Sequence, residues 1–171
     1  MSPVNKSLVG IAGVHHVVSE LSRRGMIALP SVKNTAAYDI VAMNEAGTKH
    51  ANIQVKASYK RVTAFLMPPP ERIRTGKNDY FVLARWNDRD SKYECFLLTG
   101  REAQDEVRRC IKAQQQSVDA KTRKGLRPSA RVGPMNAKAA ERWSEAWKNW
   151  LLQPSDIKRR CLTPRSRADA P

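Results

Sequence analysis

Asp39, Gln54 and Lys56 are the residues of this chain whose types and spacing suit chemistry. Tyr38-Asp39-Ile40-Val41-Ala42-Met43 reads as a strand, and so does Ala51-Asn52-Ile53-Gln54-Val55-Lys56-Ala57-Ser58. Asn44 to Lys49 lies between them, a Gly-containing turn of hairpin length. Centred on Ala46-Gly47, that turn sets Asp39 opposite Gln54, with Lys56 two residues further along the same face. A carboxylate, an amide oxygen and an ammonium gathered in this way suit metal-assisted cleavage of a phosphodiester. The competing account is a solvated strand face on which Asp39 and Lys56 pair across the ladder. Asp is disfavoured within strands, however, and Asp39 interrupts an otherwise apolar run.

The elements that must position these residues are legible on either side. Val14, Val17, Val18 and Leu21 repeat at helical spacing, which predicts a helix from about Leu8 to Arg24 closed by Gly25. Met26-Ile27-Ala28-Leu29 is a short strand stopped by Pro30. Phe65 to Lys77 reads as a loop holding Pro68-Pro69-Pro70, followed by Arg72, Arg74 and Lys77. Tyr80 to Trp86 and Tyr93 to Leu98 are two further strands, joined through Asn87-Asp88-Arg89-Asp90. Thr99 and Glu102 form a capping-box pattern for a helix to about Gln116. A last helix runs from Ala137 to about Leu152, capped by Asn136. Its Trp143, Trp147 and Trp150 form a core-facing stripe; base stacking is the alternative use of those rings. No internal repeat or second core is visible. The expected fold is α/β, a central mixed sheet flanked by helices. One domain covers residues 1–153, and a basic, disordered tail covers 154–171.

Charge is the strongest global signal. The 171 residues hold 31 Lys+Arg and 16 Asp+Glu, a formal net charge of +15. The excess is uneven: residues 1–59 carry six basic and three acidic side chains, and the remainder carries the rest. A compact catalytic half followed by a polyanion-gripping half fits that asymmetry and makes nucleic acid the expected partner. Lys33, Lys60 and Arg61 flank the hairpin site and are candidate phosphate contacts. Lys121, Arg123, Lys124, Arg127 and Arg131 form a basic loop suited to gripping the backbone further out. No stretch approaches the apolar length of a membrane span, and the first residues lack a signal peptide's pattern. Cys95, Cys110 and Cys161 are odd in number and widely spaced, forming neither a disulfide framework nor a zinc pattern, which points to a reducing cytoplasm. Cys95 is expected in the core. His15 and His16 are adjacent on a helix and point about 100° apart, so they cannot chelate one ion together.

From Gly10 to Ser58 the chain resembles the PD-(D/E)XK nuclease superfamily, the restriction-endonuclease-like fold. It is most similar to small stand-alone members related to archaeal Holliday junction resolvases. Glu20-Leu21-Ser22-Arg23-Arg24-Gly25, the Asp39 of Tyr38-Asp39-Ile40-Val41, and Gln54-Val55-Lys56 carry the likeness, and the Trp-rich final helix adds a weaker one. The resemblance implies a magnesium-dependent (or manganese-dependent) endodeoxyribonuclease. Asp39 and Gln54 would bind the cation with the Val55 carbonyl, Glu20 would complete the acidic cluster, and Lys56 would assist the attacking water. Relatives that cut both strands suggest a homodimer. The chain departs from the family at Gln54, where most members have Glu, and this removes one negative charge. Glu20 also has a plain structural account, as a helix carboxylate paired with Arg23 and Arg24. Two alternatives stand beside the enzyme: an inactive nucleic-acid-binding protein that keeps the fold, and a basic structural or ribosome-associated protein.

Overall fold

The computed structural model describes residues 5–31, 38–59, 64–117, 131–132 and 137–150, with side chains for all but 116–117, 131–132 and 137–140. Helix α1 (Lys6–Arg23) starts where the Asn5 side chain accepts the Ser7 amide at 2.9 Å. It ends at Gly25, whose φ of +82° suits glycine. Val17 and Leu21, one turn apart, are fully buried. Gly13 brings the helix close to the sheet, since a Cβ there would lie 2.3 Å from the Ala57 Cβ.

Five strands form the main sheet: β1 (Met26–Pro30), β2 (Ile40–Asn44), β3 (His50–Ser58), β5 (Asp79–Asn87) and β6 (Lys92–Thr99), in the order β1-β2-β3-β5-β6. All neighbours are antiparallel except β3 and β5, so the sheet is mixed, as expected. The chain crosses from β3 to β5 through β4 (Phe65–Leu66) and a 3-10 turn at Pro70–Arg72. The region expected to be a plain loop therefore carries structure. β4 pairs with β7 (Arg131–Val132), a partner too short to announce itself by periodicity.

Alternation along the strands separates two cores. Phe81, Leu83, Phe96 and Leu98 pack with helix α2 (Gly100–Ser117) through Ala103, Val107 and Cys110. Ile40, Ala42, Ile53, Val55, Val82, Ala84, Cys95 and Leu97 face the other way, against Val17 and Leu21 of α1. Helices thus flank both faces. The predicted capping box opens α2: Thr99 N–H donates to Glu102 Oε2 at 2.9 Å, and Glu102 N–H donates to Thr99 Oγ1 at 3.2 Å. Helix α3 (Ala137–Asn149) packs along β6, and its tryptophan stripe divides: Trp143 joins the α2 core, whereas Trp147 and Trp150 join the α1 core. Cys95 is buried as expected, and burial pushes its thiol up to about 12, which makes it a packing residue. The tail from residue 154 lies outside the described residues.

Candidate active site

The β2–β3 hairpin closes around Glu45–Thr48. The Asn44 carbonyl accepts the Gly47 amide at 2.9 Å, the Asn44 side chain accepts the Lys49 amide at 2.9 Å, and Gly47 takes a φ of +66°. Ile40 then faces Ile53 and Val41 faces Asn52, the register that the sequence predicted. The ladder ends at the Ile40–Ile53 pair; Asp39, the next residue, bonds to Ile53 and Val55 on β3 and is not register-paired with Gln54. On β3, Ile53 and Val55 face α1, so Gln54 and Lys56 project from the opposite face, where their β5 partners are Phe81 and Leu83.

β2 begins at Ile40 rather than at Tyr38, and Asp39 supplies the reason. Its side-chain Oδ2 accepts the Val55 amide at 2.7 Å, taking a hydrogen bond that a longer β2 would have made through its backbone. Its own amide donates to the Ile53 carbonyl at 3.0 Å, and its carbonyl accepts the Ser31 amide at 2.9 Å. Three bonds therefore hold Asp39 where β2 parts from β3. One strand residue directs its N–H and C=O to the same neighbour. The Asn52 amide bonds to the Asn78 carbonyl on the β5 side, so the Val55 backbone, three residues and thus an odd number of alternations away, turns toward Asp39. The Val55 carbonyl is therefore directed to the β2 side, where Asp39 lies, and Gln54 and Lys56 flank Val55 along β3. Lys56 is half-buried. Among the described residues it makes no ion pair with Asp39, so the cross-ladder pair of the competing account does not form.

Glu20 is not brought to this site. It lies on α1, which covers the face opposite to Gln54 and Lys56. Its carboxylate accepts from Arg23 at 2.9 Å and from Arg24 at 3.3 Å. Arg24 also donates to the Trp147 carbonyl at 2.8 Å and stacks its guanidinium 4.6 Å from that ring's centre. Nearby His16 stacks on Tyr93 at 4.8 Å, and burial lowers its pKa against the opposing pull of Glu20. His15 is exposed, so the two histidines diverge as expected. No group of three or more His, Cys, Asp or Glu side chains could hold a metal among the described residues. Lys33, Lys60, Arg61, Lys121, Arg123, Lys124 and Arg127 lie outside the described residues, and Arg131 is described only as backbone in β7.

A second set of polar residues adjoins Gln54. Asp79, at the first position of β5, is buried and accepts from the Gly76 amide at 2.9 Å, from Asn52 at 3.1 Å and from the Tyr38 hydroxyl at 3.1 Å. Burial alone would raise its pKa. The bonds from Asn52, Gly76 and Tyr38, with the Arg74 charge, outweigh that and hold the carboxyl below the usual aspartate range. Tyr38 thereby ties Asp79 to the residue preceding Asp39. Beside Gln54 opens a cavity of about 170 Å³, lined in part by Tyr38, Arg72, Arg74, Asp79 and Phe81. Sequence reasoning did not assign these residues. An aspartate opening the apolar run Asp79-Tyr80-Phe81-Val82 breaks strand preference as Asp39 does, and that misfit was the available signal.

No family model matches the chain, and no curated protein matches it. Among solved structures it is similar to the bacterial homing endonuclease I-Ssp6803I, at 13% sequence identity and a TM-score of 0.48, over 92% of this chain and 99% of that one. Among the described residues, no helix is long and apolar enough to cross a membrane.

Proposed function

We propose that this protein is a metal-dependent DNA endonuclease whose site is the gap between β2 and β3. The observation that supports the reading is the Asp39–Val55 clasp, which holds a carboxylate against the β3 residue between Gln54 and Lys56 on a strongly basic chain. The donor set is all oxygen and carries one negative charge. That suits a hard cation such as magnesium, which takes few protein ligands and completes its shell with water and substrate phosphate. Manganese suits the same oxygen donors. Asp39, Gln54 and the Val55 carbonyl would hold it. When bound, such an ion polarises the phosphoryl oxygen and makes water a better nucleophile.

The chain's own residues do the rest. Lys56 places a positive charge where negative charge gathers as water attacks phosphorus and the bond to one sugar oxygen breaks. Asp39, fixed by its three hydrogen bonds, keeps its second oxygen in place without reorganising. Glu20 has no part in this arrangement, because α1 and its arginines hold it on the other face of the sheet.

A second reading, a DNA-binding protein that keeps the fold without cutting, is favoured by one feature: Gln54 leaves Asp39 as the sole carboxylate of the donor set. Cleavage of labelled linear, branched and single-stranded DNA with magnesium or manganese separates the two. Metal-dependent cutting that disappears in Asp39→Ala supports the nuclease. Binding without any cutting supports the second reading.

A further inference from the structure

We infer that the cavity beside Gln54 is a subsite for a backbone phosphate of bound nucleic acid, with Arg72 and Arg74 as its anion-binding residues. This deepens the proposed function and rests on nucleic acid being the ligand of the same face. Arg72 is the last residue of the 3-10 turn, and Ile73 follows it in extended backbone at φ −85° and ψ 120°. Ile73 is buried in the α2 core, whereas Arg72 and Arg74 on either side of it are exposed. They line the same cavity as Gln54.

The segment that carries them is fixed at several points. The Pro70 carbonyl accepts from Gln104 at 2.9 Å, and Gly76 exchanges hydrogen bonds with Asp79. The Arg74 carbonyl lies against the start of α2, where a Cβ on Gly100 would come within 2.0 Å of it. Arg74 is oriented in turn, donating to the Tyr38 hydroxyl at 3.0 Å with its guanidinium 5.0 Å from that ring's centre. It covers a face of Tyr38, so that face cannot take a base. Arg72 is exposed and makes no ion pair among the described residues.

Charge decides the ligand. Two guanidinium groups meet one carboxylate, and Asp79 already accepts three hydrogen bonds, so the cavity is net positive with spare donors in fork geometry. Such donors match phosphate oxygens. Gln54 belongs both to this cavity and to the proposed metal set, so an occupying phosphate neighbours the one to be cut.

The test is fluorescence anisotropy of the full chain with labelled single-stranded and duplex oligonucleotides, in EDTA and across a salt series. Arg72→Ala/Arg74→Ala is compared with a charge-matched double variant, Lys92→Ala/Arg108→Ala, at two exposed positions elsewhere. The subsite variant is expected to lose about tenfold or more in affinity and about two from the salt slope, while the control loses clearly less. Arg72→Lys/Arg74→Lys keeps the slope and still loses affinity, because the fork is gone. Equal losses in the two alanine doubles, an unchanged slope, or no binding by the wild type would overturn the subsite. Competition by a mononucleotide or by inorganic phosphate as effective per phosphate as the oligonucleotide would overturn its assignment to a polymer backbone. Because no divalent ion is present, an inactive Asp39 site leaves this result readable. Conversely, cutting that depends on Asp39 with unchanged binding in the arginine variant sinks the subsite and spares the nuclease.

Discussion

The Asp39 carboxylate accepts the backbone amide of Val55 at 2.7 Å, across the point where β2 parts from β3. One aspartate oxygen is thus a structural cap, and the proposed metal role falls to the other. The two roles separate on substitution. Asp39→Asn keeps an oxygen for the Val55 amide and retains most stability. Asp39→Ala leaves that part-buried amide unpaired and costs about 1–3 kcal/mol. Both variants lose cleavage, as paired thermal melts and DNA nicking assays would show; full activity in Asp39→Asn would refute the metal role.

Gln54→Glu adds a carboxylate to the proposed metal set. The metal concentration at half-maximal cleavage should fall by about tenfold or more, since a second charge near the ion is worth at least ~1 kcal/mol even in water. Without metal, the same variant should melt lower because the new carboxylate adjoins Val55, whose amide already holds the Asp39 carboxylate. A metal titration of cleavage that is unmoved by the change would remove Gln54 from the site.

Lys56→Met should lower the cleavage rate by about a hundredfold or more while leaving oligonucleotide affinity close to that of the wild type, as expected of a charge aimed at the reacting phosphate. Single-turnover rates measured beside anisotropy make the distinction. A variant that binds weakly but cuts normally once saturated would mark Lys56 as a grip on DNA instead.

Glu20→Ala should leave cleavage at the wild-type level. It removes only pairs with Arg23 and Arg24 on one helix, worth about 0.3–0.5 kcal/mol each in such settings. Loss of cutting in a variant that still melts normally would mean that α1 reaches the site.

Asp79 links stability to acid. Its folded pKa lies below its unfolded value, so its charged form favours the fold at pH above the ordinary aspartate value of 3.8, and that contribution is lost as pH falls through the folded pKa. Asp79→Asn should therefore melt below the wild type at neutral pH, with the gap narrowing under acid. Melting curves collected from neutral pH to pH ~3 test this, and a gap that widens under acid would contradict it.

The hairpin was readable from residue order alone. Strand period and turn residues together predicted the pairing of β2 with β3, and the register of Ile40 to Met43 agrees. The capping box of Thr99 and Glu102 was equally local, its two partners being three residues apart. Local patterns carry this information because helix and strand periods act on neighbours in the chain. Tertiary structure alone decided what lies across the sheet. Glu20 sits in a fitting motif, yet α1 packs on the face bearing Ile53 and Val55, so its carboxylate cannot join a site on the other. Arg72 and Arg74 read as loop charges until burial of Ile73 and the Asp79–Tyr38 bond set them beside Gln54. Which face a helix covers depends on packing between segments distant in sequence, and no local period records it.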